Sequence, residues 1–267
     1  MHRIHRRLAA KSHQLDYLFW ECTLRCNLEC RHCGSDCTST SFVQDPPLQD
    51  FLGVLDQVAD AQDPSKVTVV LTGGEPLLRP DLDVCGKAFH ERGFPWGMVS
   101  NAMALTPARM ERLLASGMHS LTVSLDGLAA AHNWLRGDQR SFTRATLAIA
   151  DAARIPELAF DVVTCVNQRN IDDLPLLHQL LSSWRLKRWR LFTIFPRGRG
   201  ADDLALVALR GCLPDDDRGL GRAGADDHQV RVLPDDGRHG AGLGLLARGG
   251  LDVDELDAVG LRCDLCS

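Results

Sequence analysis

Cys26, Cys30 and Cys33 place three thiols on one short run with C-x3-C-x2-C spacing, Arg25-Cys26-Asn27-Leu28-Glu29-Cys30-Arg31-His32-Cys33. Thiolates are soft ligands, and three on one loop suit a transition-metal centre. An iron–sulfur cube has four iron corners and is ordinarily held by four cysteines. Three ligands leave one iron open to a substrate or cofactor. Zinc is the alternative, with Cys22 or Cys37 as fourth ligand. Structural zinc sites usually draw on two separated pairs, which this run lacks. Cys22 and Cys37 are read as bystanders, since Cys22 falls on a strand.

Further groups follow at intervals. Thr72-Gly73-Gly74-Glu75-Pro76 offers two glycines that let backbone approach a ligand, a carboxylate that can accept from an ammonium group, and a proline that sets the turn. Alone it could be merely a turn. Ser100 and Asn101 end a later apolar run. In Ser124-Leu125-Asp126-Gly127 the serine and aspartate alternate to one face, although Asp-Gly is also a common turn. Arg136, in His132-Asn133-Trp134-Leu135-Arg136-Gly137, could grip a carboxylate by its bidentate fork or lie on the surface. Asn167 and Arg197-Gly198-Arg199 are either ligand contacts or solvated loop ends.

All but Arg136, which lies downstream of the fourth, sit at the end of a candidate strand: Leu18–Cys22, Val67–Leu71, Trp96–Ser100, Ser120–Leu125, Ala159–Cys165 and Trp189–Phe195. Helical stretches separate them. Leu48, Phe51, Leu52, Leu55, Val58 and Ala59 form one apolar stripe, and Leu174, Leu177, Leu181 and Trp184 another. Thr106-Pro107 reads as an N-cap with proline at the first helical position, and Gly117 closes that helix. Ser141 is expected to cap a helix burying Phe142, Ala145 and Ile149. Parallel neighbours need long crossovers, so the alternation predicts an α/β fold with a parallel sheet. Six strands are too few for a closed eight-stranded barrel and suit an open, partial (β/α)6 barrel. Functional groups of βα barrels collect at the carboxyl ends of strands.

The chain has 267 residues, 45% hydrophobic and 24% charged, with a formal net charge of −5. That balance gives no support for nucleic-acid binding. Residues 1–16 are expected to be a basic, solvated leading segment with no apolar stretch after it, hence no secretory signal. No apolar run reaches the length of a membrane span. Five of the ten cysteines fall within Cys22 to Cys37, which favours metal ligation over disulfides and a reducing, cytoplasmic setting.

Together the cysteine triplet after strand one, Gly73–Pro76 after strand two and Ser124–Gly127 after strand four resemble the radical S-adenosylmethionine (radical SAM) superfamily over residues 17 to about 200. The likeness is greatest to the branch with a C-terminal SPASM extension, which includes peptide maturases, and to a lipoprotein-associated subgroup. The resemblance implies a [4Fe-4S] cluster on Cys26, Cys30 and Cys33, with SAM on the open iron. It implies SAM contacts from Gly73, Gly74, Glu75, Pro76, Ser100, Asn101, Ser124, Asp126 and Arg136. It also implies reductive cleavage of SAM to a 5′-deoxyadenosyl radical that takes hydrogen from a peptide or protein. The partners would then be that substrate and an electron donor such as ferredoxin or flavodoxin. The alternative is a truncated, non-catalytic iron–sulfur or zinc-binding protein.

Residues 201–267 differ in kind. They contain no Phe, Trp, Tyr, Lys, Ile or Met and are rich in Asp, Gly, Leu, Arg and Ala. Such a segment cannot easily offset the entropy of ordering itself, so a poorly structured tail is expected, either degenerate or the product of a reading-frame shift. A SPASM extension would supply about seven cysteines, by the same resemblance, whereas this tail offers Cys212, Cys263 and Cys266.

Overall fold

The computed structural model describes residues 15–35, 37–203 and 206, together with the backbone of 229–232. Six parallel strands run in sequential order: β1 (Tyr17–Thr23), β2 (Thr68–Gly73), β3 (Trp96–Ser100), β4 (Met118–Ser124), β5 (Ala159–Val166) and β6 (Trp189–Thr193). The helices between them are α1 (Leu48–Ala61), α2 (Leu82–Glu91), α3 (Pro107–Ala115), α4 (Ala129–Arg136), α5 (Ser141–Ala152) and α6 (Leu174–Ser183). Parallel crossovers are right-handed, so a sheet wound in strict sequential order carries its helices on one face and curves into an open barrel. All the loops after the strands thereby share one rim.

The helices form where the apolar stripes fall. Phe51, Leu52 and Leu55 are the buried face of α1, and Leu174, Leu177 and Leu181 that of α6. Thr106 caps α3 as expected, its Oγ1 accepting from the Arg109 N–H at 3.2 Å. Trp20 of β1 stacks on Phe51 at 4.4 Å, and Phe89 of α2 meets both rings edge-on, which locks the first strand to the first two helices. The Trp96 indole N–H donates to Ser116 O at 3.1 Å, so this large buried ring leaves no polar atom unmet.

One expectation needs correction. Ser141 does not cap α5; it is the first helical residue after Arg140 and is fully buried, with its hydroxyl bonded to His132 Nε2 at 2.9 Å. Within residues 201–267 a short strand, β7 (Gln229–Val232), pairs antiparallel with β6 and covers that sheet edge. The remaining tail beyond 206, with Cys212, Cys263 and Cys266, and the leading residues 1–14 lie outside the described residues. Among the described residues no helix is long and apolar enough to cross a membrane.

Candidate active site

The cysteine loop leaves β1 and is fastened to its neighbours mainly through backbone. The Cys26 N–H donates to Thr38 O at 3.0 Å, Arg31 N–H to Leu135 O at 2.9 Å, and Cys33 N–H to Cys30 O at 3.2 Å. A short 3-10 turn after β6, Gly198–Ala201, closes on the loop from the other side. There the Arg199 N–H donates to Cys33 O at 3.0 Å, while its guanidinium reaches Cys30 O at 2.9 Å and Cys37 O at 3.1 Å. Arg199, an open alternative in the sequence, is thus a clamp on the cysteine loop. Arg31 extends the attachment: its Nε donates to Trp134 O at 3.2 Å, and its guanidinium lies 4.7 Å from the Trp134 ring.

Cys26, Leu28, Cys30 and Cys37 are buried together, with Leu24, Cys33 and Met103 packed against them. Cys22 is buried elsewhere, in the core behind the sheet, so it stays apart from the triplet. Cys37 does not: it shares the triplet's cluster, although its thiol is directed at Ser35 O, 3.7 Å away. Burial pushes the Cys26 thiol up to about 11 and the Cys37 thiol to about 12. Burial also raises Cys30, against the pull of the Arg136 cation. Without a cationic centre these groups remain thiols, and metal binding would release their protons.

Among the described residues, one group of His, Cys, Asp or Glu side chains has all its donor atoms within 4.8 Å of one another, and it is His32, Asp126 and Cys165 rather than the cysteine triplet. Sulfurs around a single zinc ion stand about 3.8 Å apart, given Zn–S bonds of about 2.3 Å in a tetrahedron. The triplet is spread more widely than that. A four-iron cube needs such a spread, so the donor set and its spacing fit the larger group.

The glycines of Thr72–Pro76 act differently from the expectation. A Cβ on Gly73, which has φ +111, would stand 2.3 Å from Thr23 O, and one on Gly74 would stand 2.1 Å from Arg25 O. The close approach is to the root of the cysteine loop, with Gly74 N–H donating to Thr23 O at 2.7 Å and Glu75 N–H to Arg25 O at 2.9 Å. These glycines weld β2 to the root of the cysteine loop. Pro76 opens a 3-10 turn capped by Glu75, whose Oε1 accepts from the Leu77 N–H at 3.2 Å. Glu75 also accepts from Ser100 Oγ and from the Asn101 N–H, both at 2.8 Å. Burial raises its pKa against these three donors, which favour the ionised form. Asn101 then reaches the loop itself: its Nδ2 donates to Asn27 Oδ1 at 2.8 Å and lies 3.8 Å from Cys26 Sγ.

Ser124 is buried at the end of β4. Asp126 does not stand free at the barrel mouth, as its alternation with Ser124 suggested. It is completely buried and holds Arg136 Nε at 2.6 Å, while its other oxygen accepts from the Cys165 N–H at 2.8 Å. Burial alone would raise its pKa, but the Arg136 cation holds it below the usual carboxylate range. Arg136 likewise is neither a surface residue nor an open fork. Its Nη1 donates to Cys30 Sγ at 3.7 Å.

A shell missed in the sequence holds this pair in place. His132 Nδ1 accepts from the Asp126 N–H at 2.9 Å, and Asn170 Nδ2 donates to Asp126 O at 2.8 Å. Burial brings His132 down to about 4, so it is neutral and suited to accept. Asn167, another open alternative, turns inward: its N–H donates to Asn170 Oδ1 at 2.7 Å. Cys165, next to last in β5, lies beside these groups, and burial pushes its thiol up to about 12. His32 Nδ1 is buried without a partner. The His32–Asp126–Cys165 group faces a guanidinium that already neutralises Asp126, so a cation there would meet a cationic neighbour.

A family model described as the radical SAM superfamily matches residues 20–181. The AdoMet-dependent heme synthase of Methanosarcina barkeri is 32% identical over 182 residues, 68% of this chain and 51% of that protein. The mycofactocin maturase MftC of Mycobacterium tuberculosis is 29% identical over 187 residues, 69% of this chain and 46% of that protein. The crystal structure of Streptococcus suis SuiB bound to precursor peptide SuiA is similar with a TM-score of 0.58 and 18% identity, over 72% of this chain and 43% of that one, a likeness of fold. The chain spans about half the length of the curated relatives it matches.

Proposed function

The chain belongs to the radical SAM superfamily, and from that premise we propose an enzyme with a [4Fe-4S] cluster on Cys26, Cys30 and Cys33, within a core of residues 17–200. When bound, that cluster supplies the electron that cleaves SAM reductively, and the resulting 5′-deoxyadenosyl radical abstracts hydrogen from a substrate. The observation that carries the reading is the wide triplet of buried cysteines, clamped at the carboxyl rim of the strands.

The residues around it have distinct tasks in this proposal. Gly73 and Gly74 fix the loop against β2, and Pro76 sets the turn that presents Glu75. Glu75 keeps acceptor capacity on Oε2, which serves the methionyl ammonium of SAM. Ser100, Asn101 and Ser124 line the same rim and offer polar contacts to the remainder of SAM. Asp126 acts by holding Arg136, and Arg136 presents its charge to the cysteine loop and to the SAM carboxylate beside it.

The proposed substrate is a peptide or protein side chain, with ferredoxin or flavodoxin as electron donor in a cytoplasmic setting. The precursor peptide named with SuiB supports a peptide; the heme synthase makes a tetrapyrrole the competing class. Anaerobic reconstitution with iron and sulfide, then assay for 5′-deoxyadenosine, tests the chemistry. No production above a Cys30→Ala control rejects it. Stimulation of that production by an iron porphyrin and not by peptides would overturn the substrate class.

Cys37, buried with the triplet, supports the second reading, a non-catalytic iron–sulfur or zinc-binding protein. Metal analysis separates zinc from iron: about four irons with acid-labile sulfide favours a cluster, and one zinc without sulfide favours the zinc form of the rival. An assembled cluster that never cleaves SAM leaves its iron–sulfur form.

A further inference from the structure

We propose that Arg136 and Asn101 set the reduction potential of the cluster, acting as N–H donors to the sulfurs of Cys30 and Cys26. The inference rests on the cluster reading above and concerns residues of this chain whose positions are already fixed. Arg136 Nη1 lies 3.7 Å from Cys30 Sγ and Asn101 Nδ2 lies 3.8 Å from Cys26 Sγ, both hydrogen-bonded. Two of the three ligand sulfurs therefore receive a donor from outside the cysteine loop.

Both donors are held by other bonds. Arg136 is tied to Asp126, whose oxygens and backbone are engaged by Cys165, His132 and Asn170. Asn101 is fixed at three atoms: its N–H on Glu75 Oε2, its Oδ1 by the Met103 N–H at 2.9 Å, and its Nδ2 on Asn27. Neither side chain is free to turn away from the sulfur it meets. Reduction adds one negative charge to the centre, and pre-aimed donors in a buried site favour the form with more charge. Both residues thus make the cluster easier to reduce. Arg136 brings a full charge and Asn101 only a dipole, so Arg136 has the larger effect, even with Asp126 behind it. These are positioning residues whose influence travels through the cysteine sulfurs.

The test is an EPR-monitored redox titration of the reconstituted full chain without SAM, with iron and sulfide counted in every sample. Arg136→Gln is expected to move the midpoint to a more negative potential by about a tenfold change in the reduction equilibrium, roughly 59 mV for one electron. Asn101→Ala moves it in the same direction by less. Arg136→Lys keeps the charge and restores part of the shift. Midpoints equal to wild type in cluster-loaded Arg136→Gln and Asn101→Ala overturn the tuning while leaving the cluster reading intact. If Arg136→Gln fails to fold or load, Arg136→Met, which removes the charge but keeps the apolar stem, and Asn101→Ala decide, and unchanged midpoints in both overturn it. A wild-type chain that binds no iron overturns the cluster reading instead, and this inference with it.

Discussion

The two ends of the strand bundle are built on different terms. At the carboxyl rim Glu75, Ser100, Asn101, Asp126, Arg136 and Asn170 are buried, most of them bonded to one another or to the cysteine loop. At the opposite end a cavity of about 770 Å³ is lined by groups such as His90, Pro95, His119 and Glu157, with no comparable network. Buried charge is expensive to hold, whereas a cavity open to water is not. The rim that concentrates buried polar groups is therefore where the fold accepts cost, and the cavity at the other end is no guide to the chemistry.

Four measurements test that contrast. The largest effect is expected at the triplet, where Cys30→Ala should abolish bound iron and 5′-deoxyadenosine formation together; retained iron and sulfide at wild-type levels would remove Cys30 from the ligand set. Next is Asp126→Asn, which leaves Arg136 buried opposite a neutral partner and should cost about 3–5 kcal/mol in urea unfolding. A loss under about 1 kcal/mol would show that water already reaches the pair.

His132 gives a smaller effect with a defined sign. Its folded pKa lies near 4 and its unfolded value near 6.5, so the unfolded chain takes up a proton first as pH falls. Its contribution to stability is complete above about pH 6.5 and is lost toward pH 4. Between pH 7 and 5 wild type should lose about 2 kcal/mol more than His132→Gln, and parallel pH profiles would refute the neutral, buried assignment. The smallest effect belongs to the other end: His119→Ala should change stability by less than about 0.5 kcal/mol and leave iron content unaltered. A His119→Ala chain that loses its iron would erase the distinction between the two ends.

Much of the fold was legible because it rests on local repetition. Strands three and five were placed to within a residue, and the stripes of α1 and α6 named their buried faces, since burial on one face writes a period into the chain. The cysteine triplet was legible for a similar reason, three ligands being close in sequence. What failed to show was pairing at a distance. Nothing local in Ser141 tells that its hydroxyl serves His132 instead of a helix end, nor in Arg136 that its partner is Asp126. Gly73 and Gly74 announced a close approach without naming the approaching group, which was the chain's own backbone. That Cys37 packs with the triplet was also hidden, because spacing carries no information on which loop folds back over another. Asp and Gly in 201–267 predicted weak order, yet an edge strand at 229–232 needs only backbone to pair with β6.

The clamp from Arg199 has a consequence in time. Its guanidinium meets Cys30 O across 169 positions of chain. At about 5–20 residues per second, translation separates the two by roughly ten to thirty seconds. Gly198 belongs to the same late arrival, and a Cβ there would collide with Cys33 O at 2.4 Å, so nothing bulkier can complete the closure. For that interval the Cys30 and Cys37 carbonyls lack the guanidinium that closes over them, and the closing turn arrives last.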